Sequence, residues 1–172
     1  MISSEVRQYL VKVCAILDAH HVEYLVVGGA AVSHYGFNRP SGIGQQDPNL
    51  KVDLDFWYNP TITNFQNIIR SLDQLDVDTT DLKNLIFDKS HTFLKIPYKD
   101  FHMDFLPKMD GLNSFRLSKQ NSESIDMSGV TIHILSLEDL VLNKRAVNRP
   151  ADQIDINELN KIKKRKRRGK GL

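Results

Sequence analysis

The sequence has few cysteines, no long apolar run and little tryptophan, and these scarcities exclude several classes of protein. Cys14 is the only cysteine among 172 residues, so an internal disulfide is impossible and a cysteine-rich metal site is excluded. No apolar run approaches the roughly eighteen residues that a membrane span requires. The opening residues MISSEVRQYLVKV lack a charged start followed by an apolar stretch and a cleavage site. We therefore expect a cytoplasmic protein with no membrane partner.

Acidic residues are absent from one segment, which carries much of the positive charge of the chain. Residues 161–172 hold eight Lys or Arg and no acid, which leaves 15 basic residues against 21 acidic ones elsewhere. We expect residues 1–160 to form a single domain and residues 161–172 to form a basic, disordered tail. Such a tail attracts RNA phosphates, so RNA is a candidate partner.

Hydrophobic periodicity predicts an α/β (α+β) domain with a mixed twisted sheet, flanking helices and a helical C-terminal part. Residues 38–49 are rich in Pro, Gly, Asn and Gln and predict a long loop, while residues 76–90 give no clear pattern. Strands are predicted at residues 23–27, 51–58, 91–98, 101–107 and 130–135. Helices are predicted at residues 3–20, 30–36, 61–75, 136–147 and from about 151 onward.

Two strands carry acidic residues on the face opposite their apolar residues. Side chains alternate along a strand, so the segment VDLDF places Asp53 and Asp55 on one face. The segment FHMDF places Asp104 in the same way, and it becomes a third carboxylate of the patch if the two strands are neighbours. Adjacent carboxylates repel each other, and a divalent cation removes that conflict. Ligation by oxygen alone favours Mg²⁺ or Mn²⁺, held by these three acids.

A glycine pair precedes the acidic strand by one structural element. Gly28 and Gly29 stand where a predicted strand passes into a helix. Backbone N–H groups at such a junction can approach a phosphate without obstruction by side chains. The pair is therefore a candidate phosphate-binding site.

The segment VVGGAAVSHYGFNRP followed by VDLDF resembles the minimal nucleotidyltransferase superfamily, which includes the AbiEii-like and MNT-like nucleotidyltransferases of toxin–antitoxin systems. The resemblance covers about residues 23–159. It implies a nucleotidyltransferase fold and an enzyme that moves a nucleoside monophosphate from a nucleoside triphosphate such as ATP to a hydroxyl of RNA (tRNA) or protein. It also implies Mg²⁺ and a toxin–antitoxin partner. The catalytic and metal-binding residues that it implies are Asp53, Asp55 and Asp104.

Further residues match the family in the C-terminal part and after the glycine pair. The segment LEDLVLNKRAVNRPADQIDINEL is similar to a family segment that carries a Lys, an Arg and two Asp. The resemblance implies that nucleotide or phosphate is bound by Gly28, Gly29, Arg39 and Lys144, with a secondary role for Arg149, Asp152 and Asp155. The spacing of three between these last residues is equally typical of an ordinary ion-pair cluster within a helix.

Two departures from the family pattern support an alternative function. Arg39 precedes Asp53 by fourteen positions because an insertion separates them, and Gly29 replaces a serine that often assists phosphate binding. The alternative is a nucleotidyltransferase-fold module with little or no catalysis, which binds a partner or acts like an antitoxin. A general RNA-binding protein anchored by the tail is a third interpretation. It lacks support because the strands carry no aromatic-rich motif for stacking bases.

Overall fold

The computed structural model describes residues 4–37, 52–99 and 101–169, and six strands within these residues form one mixed sheet. Their order across the sheet is β3-β4-β2-β1-β6-β5. The pairs β2–β4 and β1–β6 are parallel, and the other pairs are antiparallel. The strands are β1 (Tyr24–Val26), β2 (Val52–Tyr58), β3 (Leu94–Tyr98), β4 (Phe101–Leu106), β5 (Glu123–Met127) and β6 (Val130–Ile134).

Helices lie before, between and after the strands, and the last two follow each other directly. Helix α2 packs against β2 and α6, and α6 packs against α7. The C-terminal part is therefore helical, as the sequence predicts. The helices are α1 (Ser4–Ala19), α2 (Gly28–His34), α3 (Ile62–Gln74), α4 (Thr80–Lys83), α5 (Phe115–Asn121), α6 (Leu137–Val147) and α7 (Pro150–Gly169).

One face of the sheet supplies most of the core. Because side chains alternate between faces along each strand, the acidic residues lie on the other face. Phe56 of β2 stacks on Phe105 of β4 with 5.2 Å between ring centroids, and both side chains are fully buried. Tyr9 of α1 contacts the ring of Phe101, which places α1 over this face. Helix α3 packs beside α1 and contributes Ile68 and Leu72 to the same core. Burial of these rings fixes the strand orientation, because a reversal would expose them to water.

The corner between α6 and α7 follows from local sequence. The Ser136 hydroxyl accepts a hydrogen bond from the Asp139 N–H and so caps the start of α6. Asn148 ends α6 with φ +56°, a left-handed conformation that Asn tolerates. Pro150 then begins α7, where its missing N–H costs nothing. Arg149 lies at this corner.

Helix α7 continues to Gly169 and so extends through most of residues 161–172, the segment for which the sequence predicts a disordered tail. Lys and Arg are good helix formers, and the helix is already established before the basic segment begins. Ion pairs also support it: Lys161 contacts Glu158 at 2.6 Å, and Lys163 contacts Glu138 of α6 at 3.1 Å. Residues 170–172 and the predicted loop at 38–49 lie outside the described residues.

Three short elements had no counterpart in the sequence-based expectations: α4, α5 and β5. Helix α4 lies in the segment 76–90 that gave no clear pattern. Strand β5 pairs with β6 through a tight turn in which Ser128 and Gly129 both have positive φ. Helix α5 is capped by Ser114, whose side chain accepts from the Leu117 N–H. Among the helices of the described residues, none is both long and apolar enough to cross a membrane.

Candidate active site

Three aspartates project from neighbouring strands onto the same face of the sheet. Asp53 and Asp55 belong to β2, and Asp104 belongs to β4, where it is paired directly with Asp55. Paired residues of adjacent strands point to the same side, so the carboxylates of all three lie on one face. The convergence that the sequence predicted from two separate segments is therefore present in the structure.

Burial makes the central carboxylate of this group costly to ionise. Burial, followed by the neighbouring carboxylates of Asp104 and Asp53, raises the pKa of Asp55 from 3.8 to about 6. Burial also raises the pKa of Asp104, although Lys95 opposes this effect. The Oδ1 atom of Asp104 is buried and has no hydrogen-bond partner among the described residues. Such an atom is expected to bind a ligand or a cation, because an unsatisfied buried oxygen is unfavourable.

Two basic side chains contact the outer part of the carboxylate group. Lys95 Nζ of β3 lies 3.3 Å from Asp104 Oδ2 and 3.7 Å from Asp53 Oδ1. His102 Nδ1 lies 3.5 Å from the same oxygen of Asp53. Asp55 has no ion-pair partner within the described part of the chain. The positive charge therefore lies at one side of the group.

Gly28 lies directly against Asp55. Its φ is +59°, and a Cβ atom at this position would lie 1.9 Å from Asp55 Oδ2. The N–H of Val27 donates to the Asp55 carbonyl at 2.9 Å, which holds the two segments together. Only glycine allows this approach, since any side chain would overlap the carboxylate. Gly29 is exposed, and no atom lies within 4 Å of the position its Cβ would occupy.

A cleft of about 500 Å³ opens beside these groups, between the sheet and the α6–α7 corner. Its polar end combines Gly28, Asp55, Lys144 and Arg149. Apolar side chains such as Phe93, Leu106 and Met109 also line it, so the cleft has the mixed lining that is common in small-molecule sites. The remaining lining residues are Val27, Ser90, His91, Pro107, Lys108, Asp110, Asn143 and Val147.

Two positive and two negative side chains form a cluster at the α6–α7 corner, and all of them except Arg149 are buried. Lys144 Nζ contacts Asp155 Oδ2 at 2.8 Å and Asp152 Oδ1 at 3.0 Å. Arg149 donates to both oxygens of Asp152, at 2.8 and 3.1 Å. Burial opposes ionisation of Asp152, but Arg149 and Lys144 outweigh it and lower the pKa to about 2. The cluster spans both helices, so it is more than the ion-pair ladder of a single helix.

The positive charges of this cluster reach the aspartates across the cleft. Lys144 and Arg149 both oppose the rise in the pKa of Asp55. The Lys144 side chain is only 4% exposed and is held by two carboxylates, whereas that of Arg149 is 67% exposed. Arg149 is thus the cation of the pair with surface available for a ligand.

The structure brings most of the predicted site residues together. Gly28, Asp55, Lys144 and Arg149 line one cleft, and the other acids adjoin it through the contacts above. Arg39 lies outside the described residues. Sequence reasoning missed Lys95, although a signal for it exists. The hairpin turn at Lys99 sets the β3–β4 register, and this register pairs Lys95 with Asp104.

The carboxylates fit a hard divalent cation, although the described residues contain no group of three acidic, histidine or cysteine side chains already arranged around a metal position. All the available ligands are oxygens, the chemistry that Mg²⁺ and Mn²⁺ prefer. The unpartnered Asp104 Oδ1 and the raised pKa of Asp55 both indicate a place where added positive charge would be stabilising. Asp53, Asp55 and Asp104 would hold the cation.

Comparison with known proteins identifies the fold. No family model matches the sequence, and no curated protein matches it. Among solved structures, the antibiotic-resistance factor ANT(2'')-Ia is similar, with a TM-score of 0.56 and 12% identity over 92% of this chain and 83% of its own. The lincosamide antibiotic adenylyltransferase LnuA, solved with lincomycin, has a TM-score of 0.56 and 14% identity over 92% and 98% of the two chains.

A third solved structure covers both chains almost fully. It is a protein of Thermotoga maritima described as a candidate nucleotidyltransferase, with a TM-score of 0.57 and 16% identity over 94% of each chain. At these identities the likeness concerns the fold and leaves the activity open. It confirms the architecture that the resemblance in the sequence implies. The protein therefore has the nucleotidyltransferase fold.

Proposed function

We propose that this protein transfers a nucleoside monophosphate from a nucleoside triphosphate to an acceptor hydroxyl, in a reaction that depends on Mg²⁺ or Mn²⁺. The observation that carries the proposal is the set of three carboxylates on one face of the sheet, beside a cleft that also contains Gly28 and Arg149. The fold is consistent with this activity. A bound divalent cation would supply charge stabilisation for the phosphates.

Several residues at the cleft are suited to bind the triphosphate. The backbone at Gly29 gives phosphate oxygens an approach that no side chain blocks, whereas the corresponding side of Gly28 is occupied by the Asp55 carboxylate. Arg149 faces the same cleft and offers a guanidinium to the triphosphate, while Asp152 holds it in position. Lys144 adds positive charge at longer range, since its ammonium is engaged by Asp152 and Asp155.

The transfer step conserves atoms and charge without a further reagent. The acceptor oxygen forms a bond to the α-phosphorus, the bond to pyrophosphate breaks, and pyrophosphate leaves. The hydroxyl proton passes to a carboxylate of the group, a role that we assign to Asp104, which is paired with Asp55 on the neighbouring strand. Preorganised charge contributes most of the acceleration in reactions of this kind.

We further propose that the acceptor is RNA, on the basis of the basic segment. Residues 161–172 carry eight Lys or Arg and no acid. Helix α7 carries Asp152 and Asp155 beside the cleft and continues without interruption into this segment as far as Gly169. At about 1.5 Å per residue, Lys164 stands roughly 14 Å along the axis from Asp155. An RNA backbone that contacts the segment could therefore place a terminal hydroxyl in the cleft.

Labelling with α-³²P nucleoside triphosphates tests the activity. The purified chain is incubated with each triphosphate, Mg²⁺, and either total RNA or total protein as acceptor. We expect labelled RNA, abolished by the Asp53→Asn/Asp55→Asn double variant or by EDTA. Asp81→Asn, which changes an exposed carboxylate of α4, is the matched control and is expected to label as the wild type does.

The possible outcomes test the carboxylate mechanism, the RNA acceptor and the transfer activity separately. Equal labelling by the double variant would refute the carboxylate mechanism. Labelled protein without labelled RNA would refute the RNA acceptor and leave nucleotidyl transfer intact. An absence of label with every triphosphate, combined with no Mg²⁺-dependent thermal stabilisation by nucleotides, would favour the non-catalytic binding module.

A further inference from the structure

Lys95 is a cation built into the proposed metal site. It belongs to β3, the edge strand beyond β4, and its partner in the antiparallel register is Asp104. Its ammonium lies 3.3 Å from Asp104 Oδ2 and reaches Asp53 Oδ1 of β2 at 3.7 Å. A single side chain thus bridges two of the three carboxylates, and it does so from outside the cleft-lining set.

The three carboxylates differ in the partners that surround them. Asp53 Oδ1 has two basic neighbours, Lys95 at 3.7 Å and His102 at 3.5 Å. The two carboxylate oxygens of Asp104 differ. Its Oδ2 atom contacts Lys95, whereas its buried Oδ1 atom has no hydrogen-bond partner among the described residues. Asp55 lines the cleft, and its carboxylate forms no ion pair with any residue that the structure describes. Negative charge without a partner is therefore concentrated on Asp55 and Asp104 Oδ1.

Charge counting shows what this arrangement leaves to be neutralised. Three ionised aspartates and one ammonium carry a formal charge of −2, which one divalent cation balances. A second divalent cation between Asp53 and Asp104 would lie where the Lys95 ammonium already contacts both carboxylates. Two positive ions at ion-pair distance from the same oxygens would repel each other strongly in a partly buried site.

We propose that Lys95 takes the place of a second metal ion, so that the chain binds a single divalent cation at Asp55 and Asp104. The inference rests on the proposed function for its metal. In this arrangement Lys95 fixes the Asp53 and Asp104 carboxylates permanently. The metal ion is then the only positive charge at these carboxylates that can bind and dissociate.

Manganese binding counts the ions without reference to activity. The full chain, freed of metal, is titrated with Mn²⁺, and free Mn²⁺ is measured by electron paramagnetic resonance. Crystals soaked in Mn²⁺ then locate the bound ions by anomalous scattering. We expect one Mn²⁺ per chain in the wild type and two in Lys95→Met, the second between Asp53 and Asp104. Lys95→Arg keeps the charge and is expected to bind one.

Controls make each outcome decisive. Lys83→Met removes an ammonium that is paired with Asp73 on the surface, and it is expected to bind one Mn²⁺ like the wild type. Two ions in the wild type, or one in a folded Lys95→Met chain, would overturn the inference and leave the proposed function standing. Lys95→Gln replaces Lys95→Met if circular dichroism shows that the latter does not fold. No Mn²⁺ on any chain would instead refute the metal of the proposed function.

Discussion

Replacement of Asp55 by asparagine is expected to stabilise the metal-free protein at neutral pH while it abolishes nucleotidyl transfer. The carboxylate is partly buried beside Asp53 and Asp104, and its pKa is raised from 3.8 to about 6. An acid with a raised pKa in the folded state stabilises the fold fully below its unfolded pKa. It loses that contribution as pH rises through the folded value. Above pH 6 the folded protein therefore carries an unfavourable charge.

The pKa displacement sets the size of the effect. A difference between 3.8 and about 6 corresponds to roughly 3 kcal/mol, at about 1.4 kcal/mol for each pH unit. Asparagine has nearly the same shape and no charge, so Asp55→Asn is expected to recover most of this free energy at pH 7. For a chain of this size, about 3 kcal/mol corresponds to a rise in Tm of roughly 6–12 °C.

Thermal and urea unfolding from pH 4 to pH 8 in EDTA measures the difference between wild type and variant. The two chains are expected to be nearly equal at pH 4 and to diverge as pH approaches 6, with the variant more stable. Saturating Mg²⁺ should remove the advantage, because the cation compensates the charge only in the wild type. Asp81→Asn controls for loss of an exposed carboxylate. A pH-independent difference, or a less stable Asp55→Asn chain at pH 7, would refute the reasoning.

Four further substitutions probe the surroundings of the site, with urea unfolding as the measurement. Gly28→Ala should lower the free energy of unfolding by at least about 2 kcal/mol, because φ is +59° and the new Cβ would overlap Asp55. Gly29→Ala should change the free energy of unfolding by less than about 1 kcal/mol, because the position is open. Equal effects would contradict the close approach. Lys144→Met should cost about 3–5 kcal/mol, since it leaves buried carboxylates uncompensated; a smaller loss would mean that water reaches them. Asp152→Asn should cost about 2 kcal/mol at pH 7, and the cost should shrink as pH falls from 4 towards 2; a constant cost would contradict the lowered pKa.

The part of the fold that the sequence predicts best is the acidic face of the central strands. Strict alternation around Leu54 and Phe56 determines which side of β2 is buried, and the aspartates follow without further assumption. The pairing of β2 with β4 is different, because these strands are separated in sequence and parallel to each other. The need for the carboxylates to share a cation and the family resemblance were the grounds for expecting Asp104 in the same patch.

Elements whose stability comes from tertiary contacts are harder to predict. Strand β5 has alternating but mostly polar residues and is only partly buried, so its periodicity carries a weak signal. Its Ser128-Gly129 turn was the available clue, since both residues take the positive φ of a hairpin turn. At the basic end of α7 the expectation differed in the opposite sense, because the sequence suggested less regular structure than is present. Charge density suggested disorder, whereas a helix that is already formed extends readily through Lys and Arg.

The α6–α7 cluster shows why composition alone could not assign roles at this site. Sequence spacing linked Arg149, Asp152 and Asp155, but the fold inserts Lys144 from the preceding helix, and the four charges sum to zero. Asp53, Asp55, Asp104 and Lys95 together carry a formal charge of −2, and Asp55 of this group lines the cleft. A triphosphate in the cleft thus lies between a neutral cluster and a negative one, and Coulomb repulsion opposes its entry alone. On this account a divalent cation is needed for binding of the nucleotide as well as for the transfer step.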